Sequence, residues 1–205
     1  HVLTQDIYSA QIPAIAVEPL VIEKSEMVIN RLKEIAQKGF SPSSLTNYLR
    51  NPLQFYFQRI LSIREVDEVE EDVAANTLGT IIHGTLENLY KPLLHKFLTV
   101  TDVKNCFSKI DAEVTQQFKE VYKEGDITKG RNLLTFEVAK RNVYNFLKLE
   151  IQLLESGDAV KVLALEHEIS RTLTNNRLPY PVLIKGNVDR IEERNGKIRI
   201  IDYKT

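Results

Sequence analysis

The sequence predicts an α/β (α+β) fold in which a small mixed sheet is flanked by helices and extended by helical insertions. Apolar residues recur at helical spacing from about residue 24 to residue 155. Residues 160–172 and 181–192 instead contain many β-branched side chains, as strands do. The dipeptide Asn195-Gly196 favours a two-residue type I′ turn, so residues 197–203 should return antiparallel to the second strand.

Residues 1–40 are predicted to form an N-terminal arm or linker followed by one short helix. Pro13 and Pro19 favour an extended conformation over the first 23 residues. Residues 24–37 have helical patterning that ends at Gly39. We therefore assign residues 41–205 to one domain, with its core strands within about 160–205.

The segment that follows the arm begins with a helix-start signal. Ser41 can cap a helix whose first position is Pro42, and Pro52 begins a second helical turn. The second turn carries three aromatic residues, Phe55, Tyr56 and Phe57. Core packing is the simpler interpretation of these rings, and stacking on nucleic-acid bases is the alternative.

Residues 77–97 are predicted to form an amphipathic helix, because apolar side chains recur there every three or four residues. Pro92 should end or kink this helix near residues 88–91. His83 falls at the rim of the apolar stripe. It is either a rim histidine of a core helix or a ligand in a site between the helix and the sheet.

The helices predicted within residues 101–155 are locally basic, although the whole chain has a net charge of −1. This surface could hold a phosphate backbone. An ordinary solvated face with mixed charges is an equally good interpretation. The basic residues are Lys119, Lys123, Lys129, Arg131, Lys140, Arg141 and Lys148.

The predicted hairpin register brings two acids together. If Asn195 and Gly196 occupy the turn, Asp189 lies opposite Asp202, and Lys204 shares their face of the sheet. Like charges at this separation are destabilising, so a lysine or a hard divalent cation should compensate. The alternative is a solvated strand edge with surface ion pairs, in which Asp189 pairs with Arg190 or Lys204.

Two stretches around this hairpin resemble known motifs. Residues 186–191, Gly-Asn-Val-Asp-Arg-Ile, followed by residues 200–205, Ile-Ile-Asp-Tyr-Lys-Thr, are similar to the paired motifs of the PD-(D/E)xK nuclease superfamily. The resemblance is strongest to its RecB-like and AddB-like branch, found in bacterial recombination helicase-nucleases. That branch carries Gly-x-x-x-His on an upstream helix, and Gly79 and His83 match it here. The resemblance implies a restriction-endonuclease-like core.

The resemblance also implies a metal site and a set of catalytic residues. Asp189, Asp202 and Lys204 would be catalytic, while His83, Asp189, Asp202 and the carbonyl group of Tyr203 would bind one or two Mg²⁺ or Mn²⁺ ions. Glu166, or else Glu168, on the first strand is a possible additional acid. Because histidine is a less usual magnesium ligand, manganese should support activity well.

The implied function is a metal-dependent DNA exonuclease module of a recombination and repair helicase-nuclease. Its partners would be DNA and a helicase domain or subunit, in the same polypeptide or complex. Two alternatives stay open: a catalytically silent, nuclease-like DNA-binding scaffold subunit, and a standalone phage or defence endonuclease. In the family a helix and a further strand follow the last motif, so the domain is expected to be incomplete at its C-terminus.

An iron–sulfur cluster is not expected. Many AddB-like domains carry a cysteine before the proline of the aromatic-rich helix, where this chain has Asn51. Cys106 is the single cysteine, whereas such a cluster needs four thiolates.

Composition sets the broader expectations. The chain has 205 residues, of which 43% are hydrophobic and 27% charged, as in a globular domain rather than a disordered one. A signal peptide and an apolar stretch of about eighteen residues are both missing from the sequence, so we expect no membrane association. The single cysteine fits a cytoplasmic location. Since the chain begins at His1, we expect it to be part of a longer protein.

Overall fold

A computed structural model describes residues 21–63, 75–121 and 128–204. Helices and short helical turns occupy most of the chain up to residue 155, and an antiparallel hairpin sheet follows. The α-helices are α1 Glu26–Lys38, α2 Pro42–Arg50, α3 Pro52–Phe55, α4 Ala75–Tyr90, α5 Val100–Phe107, α6 Ile110–Val121 and α7 Gly130–Glu155. A π-helical turn spans Tyr56–Ile60 and a 3₁₀ turn spans Lys91–Leu93. The strands are β1 Val160–Leu173, β2 Val182–Arg194 and β3 Lys197–Ile201.

Side-chain caps define where several helices begin. Ser41 accepts a hydrogen bond from the backbone N–H of Ser44, and Pro42 follows it at the first helical position, as predicted. The Asn51 carboxamide oxygen accepts a hydrogen bond from the N–H of Gln54 and so caps α3. Asn51 therefore has a structural role as the cap of this helix.

Proline ends the long helix at the predicted place. Helix α4 stops at Tyr90, and Pro92 lies in the 3₁₀ turn that follows. Beyond this turn, His95 is exposed and Phe97 is 56% exposed, so the apolar stripe does not continue to residue 97. The predicted extended arm lies outside the described residues, except for residues 21–23.

The three strands form one sheet in the order β1-β2-β3, with antiparallel pairing throughout. The turn between β2 and β3 is as predicted, since Asn195 and Gly196 have φ angles of 52° and 76°. The predicted fold class is confirmed. The sheet itself is antiparallel and not mixed. Among the described residues, the only parallel pairing is an isolated bridge between Phe40 and Ile184.

The main hydrophobic core lies between one face of the sheet and helices α4 to α7. Its members include Ile81, Val143 and Val162, each fully buried. A second, smaller cluster of Val28, Phe55 and Ile60 joins α1 to α3 and to the π-helical turn that follows α3. Phe55 thus packs in the core, whereas Phe57 is 38% exposed.

None of the described helices is both long enough and apolar enough to cross a lipid bilayer.

Candidate active site

His83 on α4 faces the sheet and approaches three groups there. Its Nε2 atom lies 3.1 Å from the backbone carbonyl oxygen of Tyr203. Its Nδ1 atom lies 3.5 Å from Asp189 Oδ1 and 3.8 Å from Glu166 Oε1. The structure therefore brings together four of the residues that the sequence singled out: His83, Glu166, Asp189 and Tyr203.

A bulge in β1 brings Glu166 opposite Asp189. Val162 pairs with Glu192, whereas Ala164 pairs with Ile191, so β1 gains one residue relative to β2 between these pairs. Without that extra residue, Leu165 would lie opposite Asp189. Glu166 also has a φ angle of 42°, a left-handed conformation that residues other than glycine seldom adopt. Such backbone strain is often found at functional sites.

His83 directs a lone pair at the two acids. A carbonyl oxygen can only accept, so the Nε2 atom next to Tyr203 must carry the hydrogen. In a neutral imidazole the lone pair of Nδ1 then points at the carboxylates of Glu166 and Asp189. Three acceptors therefore face one another, an arrangement that a bound metal ion would satisfy.

The donor set fits a divalent metal. One ligand atom each from His83, Glu166 and Asp189 lies within 4.8 Å of the other two. The Oε1 atom of Glu166 is buried and has no hydrogen-bond partner. Burial, and then the charge of Asp189, raise the pKa of Glu166, whereas His83 lowers it in part. One nitrogen and two carboxylate oxygens suit Mn²⁺, and Mg²⁺ less well.

Tyr203 joins the site through its main chain. Its N–H donates a short hydrogen bond to the Asp189 carboxylate, and its carbonyl accepts one from His83. The ring is 8% exposed and lies in the core, where it packs edge-to-face against the ring of His83.

Asp202 and Lys204 lie outside the cluster. The strands pair in the predicted register from Arg194 and Lys197 to Arg190 and Ile201, where the ladder ends. Asp189 and Asp202 would be the next pair of this ladder, but the Asp189 side chain accepts from the N–H of Tyr203, and Asp202 forms an ion pair with Lys204 at the surface. Their side chains are 61% and 84% exposed. The hydrogen bond to Asp202 and the charge of Asp202 raise the pKa of Lys204, and the charge of Asp189 contributes less.

Glu87 was not identified from the sequence as part of the site. Its negative charge contributes to the raised pKa of Glu166. The signal was available, since Glu87 lies four residues after His83, and residues at that spacing share a helix face.

A buried network of charges lies on the opposite face of β2. Arg190 is 1% exposed and forms an ion pair of 2.8 Å with Glu150 of α7, which is 3% exposed. Arg190 also pairs with Glu192, and Arg194 bonds both glutamates at 3.1 Å and 2.9 Å. Arg190 therefore does not neutralise Asp189, because the two side chains lie on opposite faces of the strand.

A groove of about 310 Å³ lies beside the cluster, along the same two strands. Its polar lining includes Ser41, Arg59, Glu168 and Lys185. Lys185 pairs with Glu168 at 3.0 Å, whereas Arg59 is exposed and makes no ion pair or hydrogen bond with the described residues.

The predicted basic surface on α6 and α7 is partly neutralised. Lys140 pairs with Asp111 at 2.7 Å and with Glu137 at 3.0 Å. Arg141 lies over the ring of Tyr144, 5.8 Å from its centroid. Lys119 and Lys148 are exposed. Both interpretations of this surface remain open.

Comparison with known proteins gives the family context. The sequence profile described as "PD-(D/E)XK nuclease superfamily" matches residues 39–205. The chain is 22% identical over 191 residues to one subunit of the ATP-dependent helicase/deoxyribonuclease of Streptococcus agalactiae, covering 90% of this chain and 16% of that protein. It is 24% identical over 178 residues to an uncharacterized protein of Rickettsia felis, covering 80% of this chain and 18% of that protein. The chain thus spans less than a fifth of the length of these relatives.

Proposed function

Because the chain belongs to the PD-(D/E)XK nuclease superfamily, we propose that it is a metal-dependent DNA nuclease, and more narrowly the exonuclease module of a recombination and repair helicase-nuclease. The observation that carries the nuclease proposal is the cluster of His83, Glu166 and Asp189, in which two acids and a histidine lone pair converge around an unpaired carboxylate oxygen. The likeness to one subunit of a helicase/deoxyribonuclease supports the narrower role and a helicase partner.

Each residue of the site has a proposed task. His83, Glu166 and Asp189 would bind the metal through Nδ1 and two carboxylates, and the carbonyl of Tyr203 holds His83 in the required tautomer. A bound Mg²⁺ or Mn²⁺ would lower the pKa of a coordinated water and neutralise phosphate charge. Lys204 would stabilise the negative charge that builds on the phosphoryl group, and Asp202 would hold the lysine at the rim of the site.

The groove gives the DNA backbone a path to this cluster. Lys185, Asn187 and Asp189 alternate along β2 and therefore lie on one face of the strand. Lys185 lies four positions before Asp189 along the strand, a distance of about 13 Å. Arg59, which has no acidic partner among the described residues, also lines the groove and offers the forked donors that suit phosphate.

The test is cleavage of linear DNA by the wild type and Asp189→Asn in Mn²⁺, Mg²⁺ or EDTA. We expect the wild type to cleave with either metal, faster with Mn²⁺, and the variant to lose at least 100-fold in rate, since a metal ligand is removed (roughly 10²–10³ for comparable electrostatic groups). Glu26→Gln is the control and should leave the rate unchanged, because Glu26 is exposed in the first turn of α1. A wild type that binds DNA and metal but cleaves nothing would reject the nuclease proposal.

A further inference from the structure

The main chain of Tyr203 links the two metal-binding elements, yet no ladder hydrogen bond holds it in place. Its N–H binds Asp189 of β2 and its carbonyl binds His83 of α4. Pairing of β3 with β2 has already ended at Ile201. The Tyr203 backbone is therefore held by these two contacts and by the packing of its own side chain.

That side chain is held between rings of two different helices. The Tyr203 ring packs edge-to-face against His83, with centroids 5.4 Å apart, and against Phe146 of α7 at 5.2 Å. Its hydroxyl is buried and makes no hydrogen bond with the described residues. Packing, and not the hydroxyl, fixes the ring.

Arg190 belongs to the same aromatic cluster as this ring, because it lies over Tyr90, whose ring packs against Phe146 with centroids 6.2 Å apart. Burial raises the pKa of the Tyr203 phenol, and the Arg190 guanidinium opposes part of that rise. Arg190 lies 4.7 Å from the ring centroid of Tyr90 and is paired with Glu150. Glu150 also accepts a hydrogen bond from the Tyr90 hydroxyl at 3.3 Å. One carboxylate thus joins α4, α7 and β2.

Stability alone does not account for so deeply buried an ion pair. Removing two charges from water is costly, and apolar replacements of buried ion pairs are often neutral or stabilising. Asp189 immediately precedes Arg190 in the chain, so clamping Arg190 also fixes the strand that carries the metal-binding carboxylate.

We propose that Glu150 and Arg190 are positioning residues for the metal centre, which fix the Tyr203 ring and, through its main chain, the spacing between His83 and Asp189. The proposal rests on the proposed function, because it assigns these residues to the metal site described above. Neither residue touches the metal or the substrate. The Arg190 side chain extends from the face of β2 opposite the metal cluster, and Glu150 of α7 contacts it there.

The test measures Mn²⁺ affinity by electron paramagnetic resonance of free Mn²⁺, together with the melting temperature of each variant. The key variant is the double substitution Glu150→Leu with Arg190→Met, which replaces the ion pair by apolar side chains. We expect its melting temperature to equal or exceed that of the wild type, while Mn²⁺ affinity falls about tenfold, as for other outer-shell partners of metal sites. Glu155→Gln, an exposed glutamate on the same helix, is the control and should change neither value.

Two substitutions at Tyr203 keep the test decisive if the double variant does not fold. Tyr203→Phe removes only the unbonded hydroxyl and should bind Mn²⁺ as the wild type does. Tyr203→Leu removes the ring and should weaken binding about tenfold. Unchanged Mn²⁺ affinity in Tyr203→Leu and in any folded double variant would overturn the proposal. A wild type that binds no Mn²⁺ would overturn it together with the metal site, whereas Mn²⁺ binding without DNA cleavage would reject only the nuclease activity.

Discussion

At the scale of single residues, Glu166 combines a cost to folding with a proposed role in metal binding. Its pKa is raised in the folded chain, mainly by burial and by Asp189. The folded state therefore holds this proton to higher pH than the unfolded state does. Between the ordinary glutamate pKa of about 4.3 and the raised value, the free energy of unfolding of the metal-free protein falls as pH rises.

Replacing Glu166 by glutamine should separate these two effects. In EDTA, Glu166→Gln should be more stable than the wild type at pH 8 and gain little or nothing at pH 4, because the charge that is costly to bury is absent. Its Mn²⁺ affinity should fall. Urea denaturation at both pH values measures the first effect, and Mn²⁺ titration the second. An equal stability difference at the two pH values would show that ionisation of Glu166 is not the cause.

Sequence reasoning located some site residues and misplaced others, for identifiable reasons. His83 and Asp189 could be singled out because motif spacing and helix periodicity are local properties. The choice between Glu166 and Glu168 could not be made, because it depends on one extra residue in β1 that no residue pattern indicates. Continuing the ladder predicts Asp202 opposite Asp189, whereas the ladder ends one pair earlier, at Arg190 and Ile201, and the Asp189 side chain binds the N–H of Tyr203.

At the scale of elements, caps and proline positions predicted helix boundaries better than they predicted contacts between elements. Ser41 with Pro42 marked the start of α2, and Pro92 marked the end of α4. The bridge between Phe40 and Ile184 was not predicted, because it joins residues that are far apart in sequence. Such pairings depend on how whole helices and strands pack together, and the local pattern of residues does not predict them.

The contact between α4 and α6 gives a prediction about packing. A Cβ atom added at Gly84 would lie 2.2 Å from Oε1 and 2.8 Å from Cδ of Gln117, which is 9% exposed. Alanine is favoured over glycine in a helix by about 1 kcal/mol, whereas overpacking costs about 1–3 kcal/mol. We therefore expect Gly84→Ala to lower the free energy of unfolding slightly.

A second substitution should reverse the sign of this effect. In a Gln117→Ala background the overlap is gone, so Gly84→Ala should stabilise the chain by up to about 1 kcal/mol. Urea denaturation of the four proteins gives the coupling between the two sites. Additive effects would show that Gln117 moves aside freely and that Gly84 is not needed for the close approach of the helices.

At the scale of the whole molecule, the charges indicate where DNA should lie. The chain has a net charge of −1, so binding cannot rely on overall attraction and needs a local positive path. Two surfaces compete: the groove of Arg59 and Lys185 beside the metal cluster, and the exposed lysines of α6 and α7. Of these two surfaces only the groove lies on the strand face that carries Asp189, because Lys185 and Asp189 are four positions apart and alternate residues of a strand share a face.

The salt dependence of DNA binding should decide between these surfaces. Each phosphate contact contributes about one unit to the slope of log affinity against log salt concentration. In EDTA, where no cleavage occurs, Arg59→Ala should therefore reduce the slope by about one, and Lys185→Ala should do the same. Glu168→Gln should instead strengthen binding, because it releases Lys185 from its 3.0 Å ion pair and removes a negative charge from the groove. Lys148→Ala on α7 is the matched control. A loss of slope in that variant, with Arg59→Ala and Lys185→Ala unchanged, would place the DNA on the helices and not along β2.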